Sequence, residues 1–393
     1  MQQPYNKLTI LYLYSICKKI FKWMNPQILT NINKIIQRDS KTSTYKFALL
    51  RGTIEIIQDN SPYIVSKSDV VEIPLGLLVE KWLFYYYPLF ESNTKIPQIY
   101  KNSKLAFEED FKTFIIYHYL QNGGFSAFYN DLRNQFLPSN LASNFFQLVR
   151  KIRHTITNMP MRYIGRSVND TYYSIFNFQN KRPNFLGKPA NTKTLVEQLG
   201  IFTIPREYYE AFALMGSFLT GSNSILYNWA EFSVNASNGA LKKEMVLNQI
   251  YKVPTTERNI QLSKKLFEKL QAKKNLFCVW TGSRIQNYHI DHLIPFSAWH
   301  NNDLWNLLPT KMSINRQKSD KIPAISLVEK QQDLIFDYWE KIEKAYEDQF
   351  NRELIIALAG YHTNNIKKHA IEQFKTSCNY LIQTKGMEEW QPN

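Results

Sequence analysis

Cysteine is scarce in this chain. Cys17, Cys278 and Cys378 lie far apart in 393 residues, which excludes a disulfide framework and a zinc ribbon, both of which need paired spacings. That usage fits a reducing, cytoplasmic compartment. Glycine, at 13, and proline, at 16, are too few for collagen-like or linker-dominated architecture. No apolar run is long enough to span a bilayer. Leu8 to Cys17 comes nearest, but Lys18 and Lys19 follow it, then Phe21, Trp23 and Met24. This pattern predicts an amphipathic helix packed on the body, with no membrane role and no secretory leader. Acid is also in deficit. The 33 Asp+Glu against 48 Lys+Arg leave +15, which points to a polyanionic partner, nucleic acid foremost.

What is present is enough to fill real cores: 44% of residues are hydrophobic and 15% aromatic, so wholesale disorder is excluded. The length predicts two or three domains. Apolar residues at helical spacing over 45–58, 73–90, 104–120 and 141–156 predict a helical bundle within 1–158. Residues 160–203 are rich in Tyr, Phe, Thr and Asn, with Pro183, Gly187 and Pro189 between short apolar runs. They predict strands or hairpins. With helices opening at Pro205 and near Ser224, 159–254 reads as a mixed α/β recognition region. A helix over 255–274 exposes Arg258, Lys264, Lys265, Lys269, Lys273 and Lys274, a face suited to phosphates. Residues 326–393 read as a closing helix pair broken around Gly360, with more acid than base along its first helix. The fold class is therefore mainly α with a small embedded α+β module at 255–325.

That module carries the chemistry. His289, Asp291 and His292 run into Leu293-Ile294-Pro295. Asn306 lies within Asp303-Leu304-Trp305-Asn306-Leu307-Leu308-Pro309, and Asn315 opens Asn315-Arg316-Gln317-Lys318-Ser319-Asp320. Local rules predict a strand over 288–294, a loop over 296–303, a strand over 304–308, and a helix from an N-cap at Thr310 to about Lys321. Phosphodiester hydrolysis needs a base that works near neutral pH, a hard cation on the scissile phosphate, and a group that holds the base in place. His292 serves as base, Asp291 and the Asn315 amide oxygen as cation ligands, and Asn306 as the clamp. Adjacent strand residues point to opposite faces, so Asp291 and His292 share a site only where the strand twists or ends. Asn315 and Lys318 fall on one helix face, so Lys318 is expected to reach a phosphate. Arg284, Lys311, Arg316 and Lys321 are expected phosphate contacts, and His289 a residue facing the nucleic acid.

The window resembles an HNH endonuclease, the ββα-metal or His-Me finger family, in its His-Asn-Asn variant. The three letters fall on His292, Asn306 and Asn315. The run from Asn315 to Pro323 is similar to that of the HNH domain in RNA-guided CRISPR nucleases, and Cys278, Thr281 and Gly282 match the Cys-x-x-[ST]-Gly strand that often precedes the motif. The resemblance implies Asp291 and Asn315 as ligands of Mg²⁺, or Mn²⁺ in its place, with His292 as general base and Asn306 orienting it. The second Cys pair of some members is missing, so no structural zinc is expected. The layout of the whole chain is similar to bacterial HNH proteins of restriction and anti-phage defence. The resemblance implies a metal-dependent DNA endonuclease acting on double-stranded DNA, as a homodimer or with a defence-system partner. The alternative is a nucleic-acid-binding subunit whose nuclease module acts only with an ATPase or a guide complex.

Overall fold

The helix Tyr45–Gln58 shows how the sequence builds the first part of the molecule: Phe47, Leu50, Ile54 and Ile57 recur at helical spacing and all are buried. The computed structural model describes residues 26–100, 103–121, 123–134, 137–164, 175–220, 225–254, 260–273, 275–299, 302–362 and 364–392. The expected amphipathic helix at 8–24, and Arg258 and Lys274 of the basic face, lie outside them. The chain divides into two units, one of 1–59 with 64–254, the other of 60–63 with 255–393.

In the first unit the helix Leu75–Glu91 runs through the core, with Trp82, Tyr86 and Tyr87 fully buried. Trp82, Tyr86, Phe107 and Trp229 pack as tilted or edge-on rings, the arrangement aromatic quadrupoles favour. The helix begins two residues later than its periodicity predicts, because 70–74 form a strand. That strand, β2 (Val70–Pro74), sits between β1 (Val65–Ser66) and β4 (Ile201–Pro205), with β3 (Asn177–Phe178) beyond β4. All pairs are antiparallel. The division expected at 158/159 therefore does not separate units, since strands from both sides share one sheet. The helix Thr192–Gln198 is capped by Asn191, whose Oδ1 accepts from Thr194 N at 2.9 Å. It meets Leu75–Glu91 at Gly76, where a Cβ would stand 2.2 Å from the Leu195 carbonyl. Only glycine allows that approach.

The second unit has its own core. The helix Gln261–Ala272 buries Ser263 and Phe267 and leaves Lys264, Lys265 and Lys269 exposed. The two-stranded sheet β5 (His289–His292) and β6 (Leu307–Thr310) is antiparallel, pairing His289 with Thr310 and His292 with Leu307. A short helix, Phe296–Trp299, stands in the expected loop. Residues 304–306 form a 3-10 turn rather than strand, so β6 starts at Leu307 and runs through Thr310. The cap of the next helix, Met312–Lys318, is consequently Lys311 and not Thr310, and the helix ends where Ser319 turns to φ 51°. β7 (Ile322–Pro323) pairs in parallel with β8 (Glu389–Trp390). Between them run the long helix Ile325–Leu354, a π turn Ile355–Ala359 and the helix Ile366–Gln383, with Gly360 at φ 60° marking the break. The whole is mainly helical with a small α+β module, as the sequence predicts.

Candidate active site

The site forms where β5 ends. Strand alternation sends Asp291 and His292 to different neighbours, although both side chains are buried. Asp291 Oδ2 accepts from Trp280 Nε1 at 2.6 Å, and its Oδ1 from Lys318 Nζ at 3.2 Å. The ring of His292 lies edge-on to Phe296, centroids 5.5 Å apart, and its Nε2 is 3.4 Å from Asn302 Oδ1. Lys318 joins the two residues, because the same ammonium also donates to the His292 carbonyl at 2.7 Å.

Lys318 thus differs from expectation. It shows 0% exposure, so it does not reach outward to a phosphate. The physical reason is the carboxylate beneath it: a buried Asp291 needs a counter-charge, and a buried ammonium needs acceptors. Both find them in each other and in a main-chain carbonyl. Asn315 precedes Lys318 by three residues, the spacing of one helix face. It is partly buried, and its amide makes no hydrogen bond among the described residues.

Asn306 is fully buried. Its Oδ1 accepts from Ile294 N at 2.8 Å, its Nδ2 donates to Ile294 O at 3.0 Å, and its main-chain carbonyl accepts from Leu293 N at 2.8 Å. One side chain therefore satisfies both polar groups of a residue that has left the strand ladder. This fixes the path of the chain just after His292. Behind the 3-10 turn, Leu304 N donates to Glu353 Oε2 at 2.6 Å, and Gln349 Nε2 to Glu353 Oε1 at 2.7 Å. Burial, then the nearby Asp303 carboxylate, pushes Glu353 up to about 8, so at neutral pH this carboxyl largely keeps its proton. Trp339 Nε1 donates to Trp305 O at 2.9 Å and holds the same turn.

The Cys278 segment supports the site from the other side. Phe277 and Arg284 bridge a tight hairpin, with Gly282 at φ 66°, where glycine alone is unstrained. Val279 N donates to Pro309 O at 2.9 Å and Cys278 Sγ contacts Thr310 Oγ1 at 3.2 Å, which fastens the hairpin to β6. Burial pushes the Cys278 thiol up, but hydrogen bonds with Thr281, Thr310 and the Lys311 and Trp280 backbone outweigh it and leave it below its ordinary value. The hairpin delivers Trp280 to Asp291.

Of the remaining expected residues, His289, Arg284 and Arg316 are exposed, Lys311 is half-exposed, and Lys321 is paired with Glu388 at 2.6 Å. Sequence reasoning missed Trp280, Asn302 and Glu353. Trp280 carried a faint signal, since a buried indole N–H needs an acceptor. Among the described residues no three His, Cys, Asp or Glu side chains gather as a metal cluster. The donors at hand are one carboxylate and one neutral amide oxygen. That set fits a hard cation which completes its shell with waters and phosphate oxygens, with Asp291 and Asn315 as the residues that would hold it.

Comparison with known proteins agrees with this geometry. Residues 278–324 match the family described as HNH endonuclease. Over 94 residues the chain is 30% identical to the CRISPR-associated endonuclease Cas9 of Listeria innocua serovar 6a, a match covering 23% of this chain and 6% of that protein. The chain thus corresponds to a small fraction of that relative's length. Residues 25–250, more than half of the chain, match a family described as a domain of unknown function (DUF8808). The chain belongs to that DUF8808 family, and its 278–324 segment is an HNH endonuclease module.

Proposed function

We propose that the protein is a metal-dependent DNA endonuclease whose site is Asp291, His292, Asn306 and Asn315, acting in bacterial restriction or anti-phage defence. The observation that carries this reading is the bracketing of Ile294 by Asn306, because it holds a histidine at a strand end beside a buried carboxylate. In this reading the His292 imidazole, whose Nε2 lies 3.4 Å from Asn302 Oδ1, takes the proton of an attacking water. Asn306 keeps the imidazole from drifting by fixing the chain behind it. Asp291 and Asn315 offer oxygens to Mg²⁺ or Mn²⁺. When bound, such a cation supplies Lewis-acid stabilisation of the phosphate and of the departing 3′ oxygen. Arg284, Arg316, Lys311 and His289 line the exposed approach and position the phosphate backbone.

Plasmid cleavage by the purified chain, with Mg²⁺ and with EDTA, tests the reading. His292→Ala abolishes cutting while DNA affinity stays largely intact, and Asp291→Ala and Asn315→Ala lose the metal-dependent activity. Cutting by His292→Ala at the wild-type rate, or full cutting in EDTA, refutes it.

One observation favours a second reading. Both Asp291 oxygens already hold donors, one of them an ammonium, so a cation must displace or share with Lys318. This favours a nuclease module that acts only with a partner, an ATPase or a guide complex. A purified chain that is silent alone and cuts only with its partner supports that reading.

A further inference from the structure

The first unit carries a cleft of about 500 Å³ lined by Ala106, Arg150, Lys151, Arg153, His154 and Pro183. Its wall is the helix Ala142–Asn158, which contains no Asp or Glu. Phe145, Leu148, Val149, Ile152 and Ile156 bury one side of that helix. Gln147, Arg150, Lys151 and His154 form the exposed stripe, at the spacing of one helix face.

The charge in the cleft is not balanced. Lys151 has a carboxylate, Asp110, at 2.7 Å. Arg150 has none among the described residues; its guanidinium lies over the Phe185 ring, 4.9 Å from the centroid. Arg153 is half-buried and spends its donors on two main-chain carbonyls, Nε on Leu199 O at 3.0 Å and Nη2 on Lys181 O at 2.7 Å. Burial lowers its pKa, and no carboxylate opposes that shift. The exposed Arg182 sits in the chain between Lys181, which Arg153 holds, and Pro183, which lines the cleft. Partly desolvated positive charge without a counter-ion is costly unless an anion completes it. A guanidinium held over an aromatic ring keeps N–H donors to fork onto phosphate oxygens. The apolar lining of Ala106 and Pro183 suits a sugar or base next to that phosphate.

We infer that this cleft binds a backbone phosphate of nucleic acid, so that the DUF8808 unit holds the polymer that the HNH module cuts. The assignment rests on the nuclease reading for its choice of nucleic acid over a free anion, but its test does not need cleavage.

Affinity of the full chain for a labelled DNA duplex and for a single strand is measured by anisotropy in EDTA, across a salt series. Arg150→Glu is expected to weaken binding about tenfold and to flatten the dependence of log K on log salt by about one, the signature of a lost phosphate contact. Arg150→Lys, which keeps the charge, is expected to retain most of the affinity. Since Arg150 is exposed, an unchanged melting temperature shows that the variant is folded. Unaltered affinity and slope in Arg150→Glu, or no binding of either DNA by the wild type at low salt, overturns the inference. Competition with inorganic phosphate separates the sources: if phosphate protects the cleft from unfolding while DNA binding ignores both phosphate and the variant, the site takes a free anion and the inference falls. Failure of His292→Ala to stop cleavage would sink the nuclease reading and leave these binding measurements standing.

Discussion

Replacing Lys318 with methionine removes the ammonium from a fully buried position and leaves a side chain of similar length to fill the space. Asp291 then stays buried with one donor, Trp280 Nε1, and the His292 carbonyl loses the Lys318 ammonium. Breaking a buried ion pair from one side costs about 3–5 kcal/mol. For a unit of this size, each kcal/mol moves the midpoint by roughly 2–4 °C, so the transition of the second unit should fall on the order of 10 °C. Trp280, Trp299, Trp305, Trp339 and Trp390 all lie in that unit, and their fluorescence reports its melting. The double variant Asp291→Asn with Lys318→Met removes both charges. It should regain most of the loss, because a neutral pair carries no stranded ion. Added Mg²⁺ should raise the midpoint of Lys318→Met more than that of the wild type, since the cation no longer competes with an ammonium. Melting of Lys318→Met within a degree or two of wild type, or a double variant that loses the sum of the single effects, refutes the account of Lys318 as the counter-charge of Asp291.

Asn306→Ala leaves the N–H and C=O of Ile294 without partners, a loss of about 2–4 kcal/mol that thermal unfolding reads directly. Asn306→Asp keeps the acceptor but turns an oxygen toward the Ile294 carbonyl, so it should be no better than alanine at neutral pH. Glu353 governs a pH dependence. Its folded pKa of about 8 lies above the ordinary 4.5, so the fold holds a proton that the unfolded chain gives up. Its contribution is complete below about 4.5, declines as pH rises, and is lost above about 8. Glu353→Gln, which keeps a neutral acceptor for Leu304 N, should flatten the fall of melting temperature between about pH 5 and 8. An unchanged profile would count against the protonated carboxyl.

The helices of both units were legible because apolar residues repeat with the helical period over long stretches, as in Tyr45–Gln58. The sheet of the first unit was not. β2 and β4 are five residues each and pair across more than a hundred residues of chain, and no local pattern encodes such a partner. At the candidate site, His292, Asn306 and Asn315 stood out because few residue types suit the chemistry proposed for them. Lys318 was misjudged because helical spacing gives a side chain's face and not its depth. Whether a lysine reaches solvent or turns inward is decided by what lies below it, and here that is Asp291. Glu353 was hidden by its surroundings, since an acidic helix reads as solvated while this one carboxyl is buried against the Leu304 amide.

The pairing of β7 with β8 has a consequence for the making of the protein. Trp390 of β8 lies edge-on to Trp280, ring centres 5.9 Å apart, and Trp280 holds Asp291. A nascent chain that has exposed everything as far as residue 380 therefore still lacks the ring that packs behind Trp280, the donor to the buried Asp291 carboxylate. During translation the support of Asp291 by Trp280 and Trp390 is therefore completed only after the 25–250 region has been synthesised.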